Sequence, residues 1–247
     1  MAKKIQHRLF IENSLPGSGI IALGQEQSHY LANVMRANVG TAVALFNGKD
    51  GEWAAEIIDV KKREVTLKVN DKAREQTAEP DLWLAFAPIK KARLDFMAQK
   101  ATELGVSHLI PVYTRRTIVD RVKTDRLRAN AAEAAEQCER LNVPTSDEPI
   151  KLEKLLANWP EDRMIMFCDE DLSGGSAHTA LAQTDSKENP KPWAILIGPE
   201  GGFDDDERRM IRAHQNTVVV SLGPRVLRAD TAAMAAISLW QSALGDW

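Results

Sequence analysis

The nine residues ILIGPEGGF, Ile195 to Phe203, decide how the rest of the chain is read. An apolar run of strand composition stops abruptly at Gly198-Pro199-Glu200-Gly201-Gly202, and the acidic Asp204, Asp205, Asp206 and Glu207 follow at once. The expected order is strand, glycine-rich loop, helix. Asp204 and Glu207 are spaced as a capping box for a helix that runs to about His214. A second unit of the same kind follows closely. VVVSLGPRVLRADTA, Val218 to Ala232, carries a β-branched run into Gly223-Pro224 and then into an Ala-rich helical stretch. Two strands that both leave through a Gly-Pro turn predict one binding site built from two loops, because glycine lets backbone N–H groups approach a ligand closely. Neither G-x-x-x-x-G-K-[ST] nor G-x-G-x-x-G is present, so the nucleotide-phosphate loops those motifs define are excluded. Glu200 would repel a phosphate and suits a ligand that is cationic or donates hydrogen bonds. The structural alternative for GPEGG is a tight turn with glycines at positive φ.

Upstream, strands alternate with helical segments from Asp81 onward, which predicts an α/β unit on a mostly parallel sheet. Leu82 to Ala87 reads as a strand. Past Pro88, Leu94, Met97, Ala101 and Leu104 recur at helical spacing until Gly105. Val106 to Tyr113 is the next strand, and Thr124 to Leu141 is an amphipathic helix with Leu127, Ala131, Ala134, Cys138 and Leu141 on one stripe. Leu152 to Trp159 predicts a short helix and Met164 to Cys168 a buried strand. The last helix, Thr231 to Leu244, aligns Ala233, Ile237, Trp240 and Leu244 on one face, suited to the core or to a subunit interface. Residues 5–70 are β-rich instead. Thr41 to Phe46 and Glu52 to Val60 alternate on either side of the turn Asn47-Gly48-Lys49-Asp50-Gly51, Val65 to Val69 alternates again, and Ser28 to Arg36 is the one helix-like stretch. A small barrel with a single helix fits these signals. The polar run DKAREQTAEP, Asp71 to Pro80, marks the boundary, giving a first domain 1–73, a linker 74–80 and a second domain 81–247.

At 247 residues the chain can bury a core of adequate size as one large domain or two small ones. No apolar run approaches the roughly 20 residues a bilayer requires, and MAKKIQHRLF lacks the apolar segment of a secretory signal; the expectation is a cytoplasmic protein with no membrane partner. Its two cysteines, Cys138 and Cys168, have no metal-ligand spacing, so no disulfide framework and no metal are expected. The net charge is −3, yet residues 88–140 hold 11 Lys or Arg against 7 Asp or Glu, whereas residues 141–191 hold 5 against 10. That asymmetry permits a basic patch of the kind a nucleic-acid backbone requires.

LIGPEGG at Leu196 to Gly202, LGPRVLR at Leu222 to Arg228 and AAEQCER at Ala134 to Arg140 together resemble the ribosomal RNA small subunit methyltransferase E family. These are SPOUT-class enzymes that methylate N3 of a uridine in 16S rRNA. KATELGVSHLIPVYTRRT at Lys100 to Thr117, HYLANVMRANVG and FNGKDGEW extend the resemblance over nearly the whole chain. It implies a C-terminal α/β knot, a deep trefoil, behind an N-terminal PUA-like β-barrel that binds RNA. It also implies S-adenosyl-L-methionine (SAM) held by Ile197, Gly198, Pro199, Glu200 and Gly201 on one side and by Leu222, Gly223, Arg225, Val226, Leu227 and Arg228 on the other. A homodimer and a substrate of 16S rRNA or the assembled small subunit follow from the same resemblance. Two positions depart from the family pattern: Ala229-Asp230-Thr231-Ala232 replaces the usual Thr-Glu-Thr-Ala, and Glu139 stands where glycine is common.

For the chemistry this implies, Arg228, Arg225 and Arg140 are the candidate catalytic cations, and Glu200 and Asp230 are weaker candidates for the base that takes the N3 proton. Lys90, Lys91, Arg93, Arg115, Arg116 and Arg140 form the expected RNA surface. Each has a structural alternative: Arg225 can tie loops together, Asp230 can cap the last helix, and the Lys90-Lys91 pair can simply be a solvated helix start. Two other functions remain open on the sequence, a knotted enzyme acting on the ribose 2′-OH and a non-catalytic RNA-binding protein.

Overall fold

The computed structural model describes residues 5–15, 17–61, 64–171, 174–184, 186–188 and 191–247. The chain divides into two compact units, the first made of residues 1–78 and 135–143 and the second of 79–134 and 144–247.

The first unit contains β1 (His7–Phe10), β2 (Gly19–Ala22), α1 (Gln25–His29) continued by one π-helical turn (Tyr30–Val34), β3 (Ala42–Phe46), β4 (Glu52–Lys61) and β5 (Glu64–Arg74). The sheet order is β1-β3-β4-β5-β2; β1 pairs parallel with β3, and the other pairs are antiparallel. The expected hairpin is β3–β4. Asn47 builds its turn: its side-chain oxygen accepts from the N–H groups of Lys49 and Asp50, and Gly48 and Gly51 take positive φ. Leu9, Leu31, Val43, Leu45, Ile57, Val65 and Leu67 form the core. Strand β2 is absent from the sequence reading because GIIA is short and its Ile20 faces solvent. Among the described residues β1 and β2 do not pair with each other, so the expected barrel stays open along that edge. Met1 to Lys4, at the head of the expected first domain, lie outside the described residues.

The compact units divide inside the expected linker 74–80, whereas the expected helix boundary needs correction. Strand β5 runs through Arg74, and the division falls between Ala78 and Glu79. Helix α3 (Thr124–Gln137) ends four residues earlier than the stripe through Leu141 predicts, and residues 135–143 belong to the first unit. There Ala135 and Leu141 are buried with Phe46, against Phe10 and Val143. Arg8 anchors them: its guanidinium donates to the carbonyls of Ala135 (2.8 Å), Glu136 (3.1 Å) and Arg140 (3.1 Å), and its Nε to Glu52 (2.8 Å). A buried cation thereby satisfies carbonyls that the end of a helix leaves unpaired. Glu139 takes φ 61°, the left-handed region, which explains why glycine suits that position.

The second unit follows the α/β alternation read from the sequence. Its elements are β6 (Leu82–Phe86), α2 (Lys91–Glu103), β7 (His108–Tyr113), α3, β8 (Thr145–Ser146), β9 (Ile150–Lys151), α4 (Leu152–Ala157), β10 (Met164–Cys168), β11 (Gly175–Ser176), α5 (Ala177–Thr184), β12 (Trp193–Ile197), α6 (Asp205–Ala213), β13 (Thr217–Ser221) and α7 (Ala229–Leu244). The sheet order is β11-β13-β10-β12-β6-β7-β8, with β9 beside β7, and every pair is parallel. Strand β12, WAILI, is buried throughout, as a continuous apolar run in a doubly covered parallel sheet should be. Helix α7 packs against α2 and α5. Its stripe of Ala233, Ile237, Trp240 and Leu244 is buried in this unit's own core, so the expected alternative of a subunit interface on that face does not hold. Gln241, fully buried on the same helix, donates to the carbonyl of Leu104 (2.8 Å) and ties α7 to the end of α2. No helix among the described residues is long and apolar enough to cross a membrane.

Candidate functional site

Strand β10 lies between β12 and β13 and parallel to both. All three chains therefore leave the sheet on the same side, which is where open parallel sheets bind ligands. The exits are Cys168-Asp169-Glu170 from β10, the Gly198–Phe203 loop from β12 and the Leu222–Arg228 loop from β13.

The first loop is a rigid turn. Gly202 donates its N–H to the carbonyl of Pro199 (2.9 Å) and has φ 67°. At Gly198 a Cβ would come within 2.6 Å of the Phe203 ring, so the turn closes only with glycine there. Phe203 is fully buried, edge-on to Phe167 with ring centroids 5.2 Å apart. Beyond it the capping box is present as expected. Asp204 accepts from the N–H of Glu207 (2.8 Å), and Glu207 accepts from that of Asp204 (3.1 Å). The bond from Glu207 and then the Arg115 guanidinium hold the Asp204 carboxyl below the ordinary carboxylate range. The other oxygen of Glu207 accepts from the backbone N–H of Arg115 (2.8 Å), which fastens the β7–α3 loop to α6.

The second loop forms a pocket with the exit of β10. Its walls are Cys168, Asp169, Glu170, Leu222, Gly223, Arg225, Val226, Leu227 and Ala232, around a volume of ≈ 60 Å³. Desolvation pushes the Cys168 thiol well up, so it is no thiolate nucleophile. Asp169, its side chain fully buried, pairs with Arg212 (2.7 Å) and Arg208 (3.2 Å) of α6. Glu170 joins this pocket to the first loop: its Oε1 accepts from the N–H of Phe203 (3.2 Å) and from Arg208. Neither acid was singled out in the sequence, where CDED reads only as a polar strand exit; their position depends on β10 lying between the two loop-bearing strands.

Of the residues expected to hold a cofactor, Leu222, Gly223, Arg225, Val226 and Leu227 line this pocket. Arg228 is the N-cap of α7 and exposed. Ile197, Gly198, Pro199, Glu200 and Gly201 do not line it; Glu170 reaches only the end of their loop, at Gly202 and Phe203, with Pro199 buried and Glu200 and Gly201 exposed. Among the described residues Arg225 and Arg228 make no ion pair, which leaves both guanidinium groups open. Asp230 sits 4.0 Å from Arg93 in the first turn of α7. The expected RNA cations separate into three kinds besides Arg93. Lys90 and Lys91 are exposed at the start of α2. Arg115 is held by Asp204 (2.7 Å) and Asp206 (2.8 Å) at the start of α6, and Arg116 donates to the carbonyl of Gly201 (2.9 Å) in the first loop. Arg140 belongs to the first unit and is buried, 9% exposed, unlike the open cation the sequence reading expects.

An RNA methyltransferase domain family matches residues 76–241, and an RNA methyltransferase PUA domain family matches residues 23–70. The chain is therefore an RNA methyltransferase of the parallel α/β kind with an N-terminal PUA domain. A ribosomal RNA small subunit methyltransferase E of Rickettsia conorii is 31% identical over 94% of this chain and 93% of its own. The chain belongs to that methyltransferase E family. A structure from Legionella pneumophila, described as a methyltransferase in complex with the bound cofactor SAM, is 30% identical, covers 97% of this chain and 98% of its own, and superimposes with a TM-score of 0.87. The Neisseria gonorrhoeae methyltransferase E, solved with S-adenosyl methionine, shares the fold at a TM-score of 0.86 over 98% and 99% of the two chains, with 24% identity.

Proposed function

We propose that this protein transfers the methyl group of SAM to N3 of a uridine in 16S rRNA, either free or in the small ribosomal subunit. The observation that carries the reading is the pocket at the ends of three parallel strands, apolar on the side of Leu222, Val226, Leu227 and Ala232 and acidic at Glu170. Those walls suit a ligand that combines an aromatic base with a cation. The pocket is smaller than the roughly 300–1,000 Å³ of most ligand sites. Val226, which also lines it, is 83% exposed, so the pocket opens to solvent on the second loop.

When bound, SAM supplies a methyl group activated by its sulfonium. The chain's own tasks are alignment and charge. Alignment alone can contribute effective molarities of about 10⁵–10⁸ M, and here it rests on the rigid first loop, Glu170 and the wall of the second. Uridine N3 must lose a proton. Arg228, open at the head of α7, stabilises the negative charge that develops on the uracil carbonyls, with Arg225 beside it on the loop. Glu200, exposed on the first loop, is the better-placed base, because Asp230 is turned toward Arg93. Lys90 and Lys91 take the RNA phosphates, which position the substrate, while contacts to a flipped base select it.

The reading includes the C-terminal trefoil knot, a cytoplasmic location and a homodimer. With the α7 stripe buried, the dimer contact must use other residues, such as the half-buried Met234 and Leu239. The test is transfer of labelled methyl from SAM to naked rRNA and to small subunits from a strain lacking the modification. Incorporation into either supports the reading, and incorporation into neither refutes it.

A further inference from the structure

We infer that Glu170 is a specificity residue that makes the pocket prefer the cationic methyl donor over its neutral thioether product, and so favours product release. This rests on the proposal that the pocket takes SAM. Glu170 lies in the loop after β10, lines the pocket and is partly exposed. Its Oε1 is fixed by the N–H of Phe203 and by Arg208. Packing fixes it further, since a Cβ on Gly202 would lie 2.0 Å from that oxygen. Every bond the carboxylate makes among the described residues ends on Oε1, which leaves Oε2 without a partner. The neighbouring acid differs: both oxygens of Asp169 are engaged, one by Arg208 and the other by Arg212. The other walls are apolar at Leu222, Val226, Leu227 and Ala232, and the exposed Arg225 adds one cation to them.

The two cofactor forms differ by one charge. Both carry an ammonium and a carboxylate; the donor adds a sulfonium, which methyl transfer converts to a neutral thioether. The Glu170 carboxylate, although paired with Arg208, therefore stabilises the donor form more than the product form when the sulfonium lies on its Oε2 side rather than beside Arg225. A half-exposed ion pair contributes up to roughly 1 kcal/mol, about a fivefold preference.

The experiment measures the dissociation constants of SAM and of S-adenosylhomocysteine by calorimetry on the wild type and on Glu170→Gln. Glutamine keeps an acceptor for Phe203 and removes the charge. The wild type should bind SAM more tightly than the thioether, and Glu170→Gln should reduce that ratio by about fivefold, mainly by weakening SAM. On the wild type alone, raising the salt concentration should shrink the same ratio, a readout that needs no variant. A Gln variant with an unchanged ratio, or a wild-type ratio insensitive to salt, overturns the inference. A wild type that binds neither compound instead refutes the cofactor reading on which it rests.

Discussion

Replacing Gly202 with alanine should damage both stability and cofactor binding, whereas the same change one residue earlier should do neither. Gly202 has φ 67°, and a Cβ there would stand 2.0 Å from Oε1 of Glu170 and 2.8 Å from its Cδ. A non-glycine residue in the left-handed region costs about 1–2 kcal/mol. Displacing Glu170 also breaks its bond to the Phe203 N–H, a charged hydrogen bond worth about 1.5–3 kcal/mol. Together the loss is about 2.5–5 kcal/mol, a fall of roughly 5–20 °C in Tm for a chain of this size. Gly201 has no positive φ, and the nearest atoms to its added Cβ would be the Arg116 side chain at 3.5 Å and its carbonyl oxygen at 4.0 Å, ordinary contacts. Gly201→Ala should therefore stay within about 0.5 kcal/mol of the wild type, as surface substitutions do. Thermal denaturation of both variants, with SAM titrated by calorimetry, separates the cases. Equal tolerance at the two positions would refute the claim that Glu170 and the first loop are locked together.

Arg228→Ala should lower kcat for methyl transfer by about 100-fold, the usual effect of removing one charge-stabilising donor, with little change in SAM affinity; equal losses in both would sink its catalytic role. Charge reversal at Lys90 and Lys91 should weaken rRNA binding and flatten its salt dependence in a filter-binding series. Acidic residues at a helix start favour the helix, so a melted α2 would not explain that result. Glu139→Gly should raise Tm by a few degrees, since relief of the left-handed strain, about 1–2 kcal/mol, exceeds the added backbone entropy of about 0.5–1 kcal/mol. In acid, Asp204 and Asp95 both have carboxyls held below their usual value, Asp204 first by the Glu207 N–H and Asp95 first by Arg126. Their stabilisation should be complete above about pH 4, near the unfolded carboxylate value, and fade as pH falls through the lowered folded values. Asp95→Asn should flatten that acid limb in urea titrations.

The second unit was legible because its signals are local. β12 is a continuous apolar run, Asp204 and Glu207 are spaced as a capping box, and the two Gly-Pro turns occur at strand ends; each depends on neighbours a few residues away. What escaped depends on topology. Nothing in CDED at Cys168 to Asp171 says that β10 will lie between β12 and β13, so Glu170 became visible as a link between loops only once strand order was known. Residues 135–143 escaped for the same reason: helical periodicity runs on through Leu141, but Arg8, more than a hundred positions away, captures the carbonyls at the helix end. Arg115 and Arg116 read as free cations in TRRT, and their carboxylate and carbonyl partners come from the start of α6 and the loop before it, 85 to 91 positions later. The stripe on α7 is legible as apolar, while its partner, this unit's own core rather than a second subunit, depends on α2 and α5 packing on it.

The product nucleoside decides whether uridine N3 is the methyl acceptor. Small-subunit rRNA from a strain lacking the modification, incubated with the protein and SAM, digested to nucleosides and analysed by mass spectrometry, should gain one methyl group on the base of a uridine, as 3-methyluridine. A methyl group on ribose, or rRNA left unmethylated by a folded protein that binds SAM, would contradict it.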